Sequence, residues 1–91
     1  IVNIINRNTV ILNGECEGEV NYDGISIGRI YCRHNSNIQL NVKDNSKVFI
    51  SVYDNAIVDI KCQDDAKVYV YKYGGLVKSL GNVIIRDKNL E

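Results

Sequence analysis

Apolar residues recur along this chain at alternate positions in short bursts, and the bursts return every ten residues. Val48, Ile50 and Val52 make one burst and Val58, Ile60 and Cys62 the next, each with polar or exposed-type residues interleaved. Alternation of β-branched side chains at period two is the pattern of a strand with one face in a core and the other in solvent. Reading down the chain in tens, Val10, Val20, Ile30, Leu40, Ile50, Ile60, Val70, Leu80 and Leu90 form an unbroken aliphatic column. Two residues later run Val2, Leu12, Tyr22, Cys32, Val42, Val52 and Cys62, until Lys72 and Asn82 end that column. Two residues earlier run Ile38, Val48, Val58 and Val68. No segment carries the 3.6-residue apolar period of a helix.

Corners punctuate the bursts. His34-Asn35-Ser36, Asp44-Asn45-Ser46, Asp54-Asn55-Ala56, Asp64-Asp65-Ala66 and Gly74-Gly75 recur in register, and Gly14 and Gly24 occupy the same column earlier. Asp and Asn bond nearby backbone and tolerate left-handed dihedrals, while Ser or Ala fits a tight inner corner. Strand and corner in strict alternation predict an all-β, single-chain parallel β-solenoid built from ten-residue strand-turn units. The expected layout is one domain over 1–91, with the clearest repeats at 34–73 and a C-terminal cap or partner-contact segment at 74–91. Residues 14–29 depart from the repeat apart from their glycines.

Ten extended residues span only ~33 Å of contour, too little to enclose two layers of Val and Ile ~10 Å apart. The unit is therefore a half or a third of a coil. Twenty residues per coil stacks Phe49 under Tyr69, Tyr53 under Tyr73 and Lys47 under Lys67, with Tyr31 and Tyr71 in one column. Thirty residues scatters the aromatics and gains only Cys32 over Cys62. A two-sided, twenty-residue coil is the expectation. Strands near 27–33, 47–53 and 67–73 then share a sheet whose outer residues are Arg29, Tyr31, Lys47, Phe49, Tyr53, Lys67, Tyr69, Tyr71 and Tyr73. The opposite sheet shows Glu17, Glu19, Asn37, Gln39, Asn41, Asp59 and Lys61. One face is aromatic and basic, the other polar and somewhat acidic. Ladder stacking alone explains aromatics in a parallel sheet, yet exposed Tyr and Arg also anchor interfaces, so the nine residues of the first face are the candidate partner-binding set.

Composition narrows the chemistry. Eleven basic and eleven acidic residues cancel, which leaves no overall field to steer nucleic acid or an anionic membrane. No apolar run approaches the ~20 residues of a membrane-spanning helix. Three cysteines, Cys16, Cys32 and Cys62, fall mostly in inward columns without metal-ligand spacing, and read as small apolar filler. The Asp column (Asp44, Asp54, Asp64, with Asp65) has oxygen ligands suited to calcium, but lacks the glycine-rich calcium repeat and reads as corners. His34, the sole histidine, has no nucleophile in pattern with it. No pair of carboxylates stands apart from the ladder. No catalytic residue, metal ligand or cofactor is expected. With no Met in the chain, trimming, processing or excision from something longer is expected. The start, "IVNIINRNTVIL", has no polar cap, which suggests more chain upstream or a neighbouring subunit.

The "DNSKV", "DNAIV" and "DDAKV" units resemble the D-N-A-x-V repeats of bacterial and bacteriophage β-solenoid proteins, over about residues 34–73. That resemblance implies a phage fibre, spike or decoration, or a bacterial surface module, in a virion or at the cell surface, and transfers no active site. The expected function is a non-enzymatic structural and interaction module, a rigid solenoid rod docking protein partners through its aromatic-basic face or its ends. A homo-oligomer, with a trimer among its forms, or a larger assembly is expected. The alternative is a carbohydrate-binding or carbohydrate-active solenoid with a glycan on the same aromatic face.

Overall fold

Ten strands follow one another without an intervening helix in the structure, a computed structural model that describes residues 2–88. They are β1 (Val2–Ile5), β2 (Thr9–Leu12), β3 (Glu17–Tyr22), β4 (Ile27–Cys32), β5 (Asn37–Val42), β6 (Lys47–Val52), β7 (Ile57–Cys62), β8 (Lys67–Lys72), β9 (Leu76–Leu80) and β10 (Val83–Asp87). The odd strands form sheet A in the order β1-β3-β5-β7-β9, and the even strands sheet B in the order β10-β8-β6-β4-β2. Every neighbouring pair is parallel. The chain is thus a β-solenoid of about four turns with about 20 residues per turn. Phe49 pairs with Tyr69 and Lys47 with Lys67, as the twenty-residue coil requires.

The two sheets close over the inward columns. Val20, Ile30, Leu40, Ile50, Ile60 and Val70 are essentially fully buried, as are Val48, Val58 and Val68. Ser36, Ser46, Ala56 and Ala66 are buried at the inner corners, where the sequence places small residues.

Residues 14–29, which lack the repeat, nevertheless keep the twenty-residue register through β3 and β4. Two inward positions there are glycines, Gly18 beside Ile38 and Gly28 beside Val48. At Gly28 the missing side chain is replaced from across the core. The Tyr22 ring fills the space a Gly28 Cβ would occupy, and its hydroxyl donates to the Arg7 carbonyl at 2.8 Å. Gly18 instead lets the Val2 backbone approach. The apparent break in the pattern is an exchange of volume between columns, not a break in the fold.

The register does slip at both ends. Val2 pairs with Gly18, sixteen residues on, so Val2 stands in the column of Ile38 and Val58 and not, as the periodicity predicts, in that of Leu12. At the other end Ile57 pairs with Leu76, nineteen residues on, and Val68 with Val83, fifteen residues on. A one-residue slip moves each side chain to the opposite face. Leu80, expected in the core column, therefore lies outside beside Lys61 and is 67% exposed. The slip occurs at Gly74-Gly75, where Gly75 takes a left-handed φ of 76° and its Cα packs against the Ala56 carbonyl. Leu90, the last member of the predicted column, lies outside the described residues. Lys72 does mark the end of its inward column: half-buried, it pairs with Asp87 of β10 at 3.9 Å. Within 74–88 the chain adds one more rung to each sheet.

The corners are continuous with the ladders. Gly14, Gly24, His34, Asp44, Asp54 and Asp64 all take left-handed φ, between 57° and 74°. Four of these N–H groups are met by a side chain from the next coil: Gly24 donates to Asp44 Oδ2 (2.9 Å), His34 to Asp54 Oδ2 (3.0 Å), Asp44 to Asp64 Oδ2 (3.2 Å) and Gly14 to His34 Nδ1 (2.8 Å). The carbonyls of Gly14, Gly24 and His34 accept from the N–H of Asn35, Asn45 and Asn55. The expectation that each Asp bonds its own turn is corrected here: the left-handed bend aims the carboxylate at the coil before it.

Substitutions at Gly28, Tyr22 and Asp54 test these contacts. Gly28→Val overfills the core beside Tyr22 and should lower stability by about 1–3 kcal/mol, and the Tyr22→Val/Gly28→Val double variant should recover part of that loss in a urea titration, because the two sites share one volume. Asp54→Ala, which keeps neither the left-handed preference nor the acceptor, should cost about 1–2 kcal/mol, whereas Asp54→Asn should melt near wild type, and added calcium should leave the wild-type melting curve unmoved.

Candidate functional site

Parallel stacking at a fixed register turns each outward position of sheet B into a column. The nine candidate residues all fall on this outer side: Arg29 and Tyr31 on β4, Lys47 and Phe49 on β6, Lys67, Tyr69 and Tyr71 on β8, with Tyr53 and Tyr73 immediately after β6 and β8. Phe49 and Tyr69 stack with centroids 5.2 Å apart and planes 14° from parallel, and Tyr53 and Tyr73 stack at 4.9 Å and 5°. An arginine ends each ladder. The Arg29 guanidinium lies 5.6 Å from the Phe49 centroid, and that of Arg33 lies 5.4 Å from the Tyr53 centroid. Rings at one-rung spacing attract as offset stacks, and a guanidinium over a ring face adds a cation–π contact. The ladders therefore stiffen the face and leave Tyr73 44% exposed.

The third column differs. Tyr31 pairs with Ser51 and Ser51 with Tyr71, so two tyrosines stand two rungs apart with a small residue between them. Arg29 and Phe49 close one side, giving a hollow of about 210 Å³ lined by Arg29, Tyr31, Phe49, Ser51 and Tyr71.

Charge is unevenly divided. Sheet B carries Arg29, Lys47, Lys67 and Arg86 outward, with Arg33 at its margin, Arg86 being placed beside Tyr71 by the pairing of β10 with β8. Among the described residues no carboxylate lies on the outer side of β2, β4, β6 or β8, and Asp87 of β10 faces Lys72. Lys47 and Lys67 stand on adjacent rungs, where like charges weaken a sheet. Sheet A mixes Glu17, Glu19 and Asp59 with Lys61 and Lys78. A larger hollow of about 450 Å³ borders sheet A near Asn21, Asn41 and Lys61. Its amides are already engaged with one another: Asn41 Nδ2 donates to Asn21 Oδ1 at 3.0 Å and Asn21 Nδ2 to Asn3 Oδ1 at 3.3 Å. With no ring facing it except the buried Tyr22, it offers less for recognition than the sheet B slot.

Three further residues of this face, Arg33, Ser51 and Arg86, lie outside the set of nine. Arg33 shares a twenty-residue column with Tyr53 and Tyr73, so the register alone could have found it. Ser51 is conspicuous only as the gap between Tyr31 and Tyr71. Arg86 could not have been found, since its place depends on a fifteen-residue return.

The remaining candidate chemistry is accounted for by structure. Among the described residues no three His, Cys, Asp or Glu side chains converge as metal ligands would. His34 Nδ1 serves as an acceptor at a corner. The three cysteines are free, with Cys32 and Cys62 buried. Burial pushes the Cys32 thiol up to about 12, the neighbouring Cys16 adding to the effect. Burial likewise raises the Cys62 thiol, against a backbone hydrogen bond at Asn82, and pushes the Tyr22 phenol up to about 12. Neutral thiols are poor nucleophiles. Compared with family models, curated proteins and solved structures, the chain finds no match.

These shifts carry a sign. Folding holds Tyr22 and Cys32 neutral above their ordinary values of 10.0 and 9.0, so the unfolded chain releases protons first as pH rises. Their contribution is whole below about pH 9 and is lost as pH climbs toward 12. The urea midpoint should fall steadily over that range, with a shallower fall in Tyr22→Phe.

Proposed function

We propose that this chain is a non-enzymatic structural and interaction module, a rigid β-solenoid segment of a larger assembly that docks an acidic protein partner on the outer face of sheet B. The carrying observation is the coincidence, on one stiff face, of two arginine-capped aromatic ladders with a field of cations and, among the described residues, no carboxylate on the outer side of β2, β4, β6 or β8. Binding there presents rings already immobilised by stacking, so little side-chain entropy remains to be lost. A partner carboxylate between Lys47 and Lys67 would relieve their repulsion. The face is a local field on a chain of zero formal charge, which favours a particular acidic partner over polyanions in general.

The ends supply a second contact. The last coil exposes Ile84 (43%) and Ile85 (42%), and its strands β9 and β10 are edges of their sheets. Open parallel edges pair readily with other chains, which supports self-association into a longer rod. The likeness of the D-N-A-x-V units to phage and bacterial surface solenoids supports a display role in a virion or at a cell surface.

Polyglutamate is a suitable probe. Binding to it should weaken at least tenfold as salt is raised and vanish in Lys47→Glu/Lys67→Glu, while light scattering reports a mass above the 10.3 kDa of one chain. Salt-insensitive binding of a neutral oligosaccharide, lost in Tyr69→Ala/Tyr71→Ala without change of mass, would favour the carbohydrate-binding alternative. Absence of both bindings would overturn the docking face, and a clean monomer would remove the ends from the proposal.

A further inference from the structure

The Tyr31–Ser51–Tyr71 column is an aromatic ladder with its middle ring missing. On either side of it the face shows what a filled ladder looks like: Phe49 on Tyr69 at 5.2 Å and Tyr53 on Tyr73 at 4.9 Å. Parallel rungs repeat every ~4.8 Å, so Tyr31 and Tyr71 stand on rungs ~9.6 Å apart. A flat ring entering at the Ser51 rung would have a tyrosine one rung above and one below, the spacing its neighbours already use. The hollow of about 210 Å³ is this interval, and its five lining residues are three aromatics, one serine and one arginine.

We infer that this slot receives an aromatic side chain carried by an acidic segment of a different protein, which completes the ladder between Tyr31 and Tyr71 over Ser51. The inference rests on the docking reading above and names the anchor that reading leaves open. Charge selects the flanks of the incoming ring. Arg29 borders the slot, Arg86 stands on the rung beyond Tyr71, and Lys47 and Lys67 lie two positions before Phe49 and Tyr69 in the same strands, so carboxylates on either side of the ring meet cations.

A second copy of this chain does not fit the role. Its exposed rings lie on the same basic face, and Tyr22, the remaining one, is buried. Bringing two such faces together would oppose cation to cation, while the mixed-charge sheet A presents no ring. The occupant therefore comes from elsewhere.

Absence of Trp from the chain makes a tryptophan probe readable by its own fluorescence. The peptides Glu-Glu-Trp-Glu-Glu and Glu-Glu-Leu-Glu-Glu, blocked at both ends, carry equal charge and differ only at the anchor. Wild type should bind the tryptophan peptide about tenfold more tightly or better, as two ring–ring contacts allow. Ser51→Tyr fills the gap from within: it should melt at or above wild type, still bind both peptides in low salt, and lose the preference between them. Ser51→Ala should keep the preference, and Tyr71→Ala should reduce it. Equal binding of the two peptides by wild type would overturn the slot and leave the charged docking face standing. Binding of neither peptide would overturn both. A preference that survives Ser51→Tyr, or displacement by that substitution of an oligogalacturonate but not of the tryptophan peptide, would also overturn it, the latter in favour of a sugar ring.

Discussion

Hydrogen bonding between consecutive coils at one repeated register is the constraint on which the rest of this molecule depends. In a parallel solenoid each residue sits above the one a full coil earlier, so a twenty-residue return converts sequence spacing directly into spatial columns. Inward columns become the core and outward columns become ladders. The corners obey the same rule, because left-handed Asp and His side chains accept from the N–H of the preceding coil, and the N–H groups of Asn35, Asn45 and Asn55 donate to carbonyls of that coil. Stacked carboxylates are tolerable under this arrangement, since each faces a backbone donor and not only its neighbour.

Strict stacking also explains why the two faces can differ so sharply. A column repeats its residue type, so a few substitutions per coil set the character of a whole face. Sheet B accumulates rings and cations, and sheet A accumulates amides that bond to one another. A partner meets a surface whose side chains are already aligned and held, at a spacing that the backbone imposes. On the outer side of sheet B the column of Tyr31 and Tyr71 is interrupted at Ser51, and for the same reason this is where the proposed foreign ring would be read as belonging.

Irregularities are handled by local exchange. Tyr22 donates volume to the position that Gly28 vacates, which keeps the core filled at a rung where neither column shows its usual residue. Lys72 enters an inward column only where the core is ending, and there it finds Asp87. Each departure is compensated within a few ångströms, so the ladder passes through residues 14–29 without a change of register.

The periodicity of Val, Ile and Leu, with Asp, Asn and Gly between, was enough by itself to determine the all-β solenoid, the coil of twenty residues and the nine residues that share the aromatic-basic face. Those follow from period-two alternation and from which residues stack at each possible coil length, and both are properties of spacing. Tertiary structure alone decided the sixteen-, nineteen- and fifteen-residue returns at the ends, and with them the exposure of Leu80 and the arrival of Arg86 beside Tyr71. A return is shortened by backbone geometry in a turn, as at Gly75, and turn geometry leaves no trace in a column of aliphatic residues. The inter-coil reach of the corner carboxylates and the Tyr22–Gly28 exchange were hidden for a related reason: each joins residues whose types look unremarkable or aberrant until the coils are laid on one another.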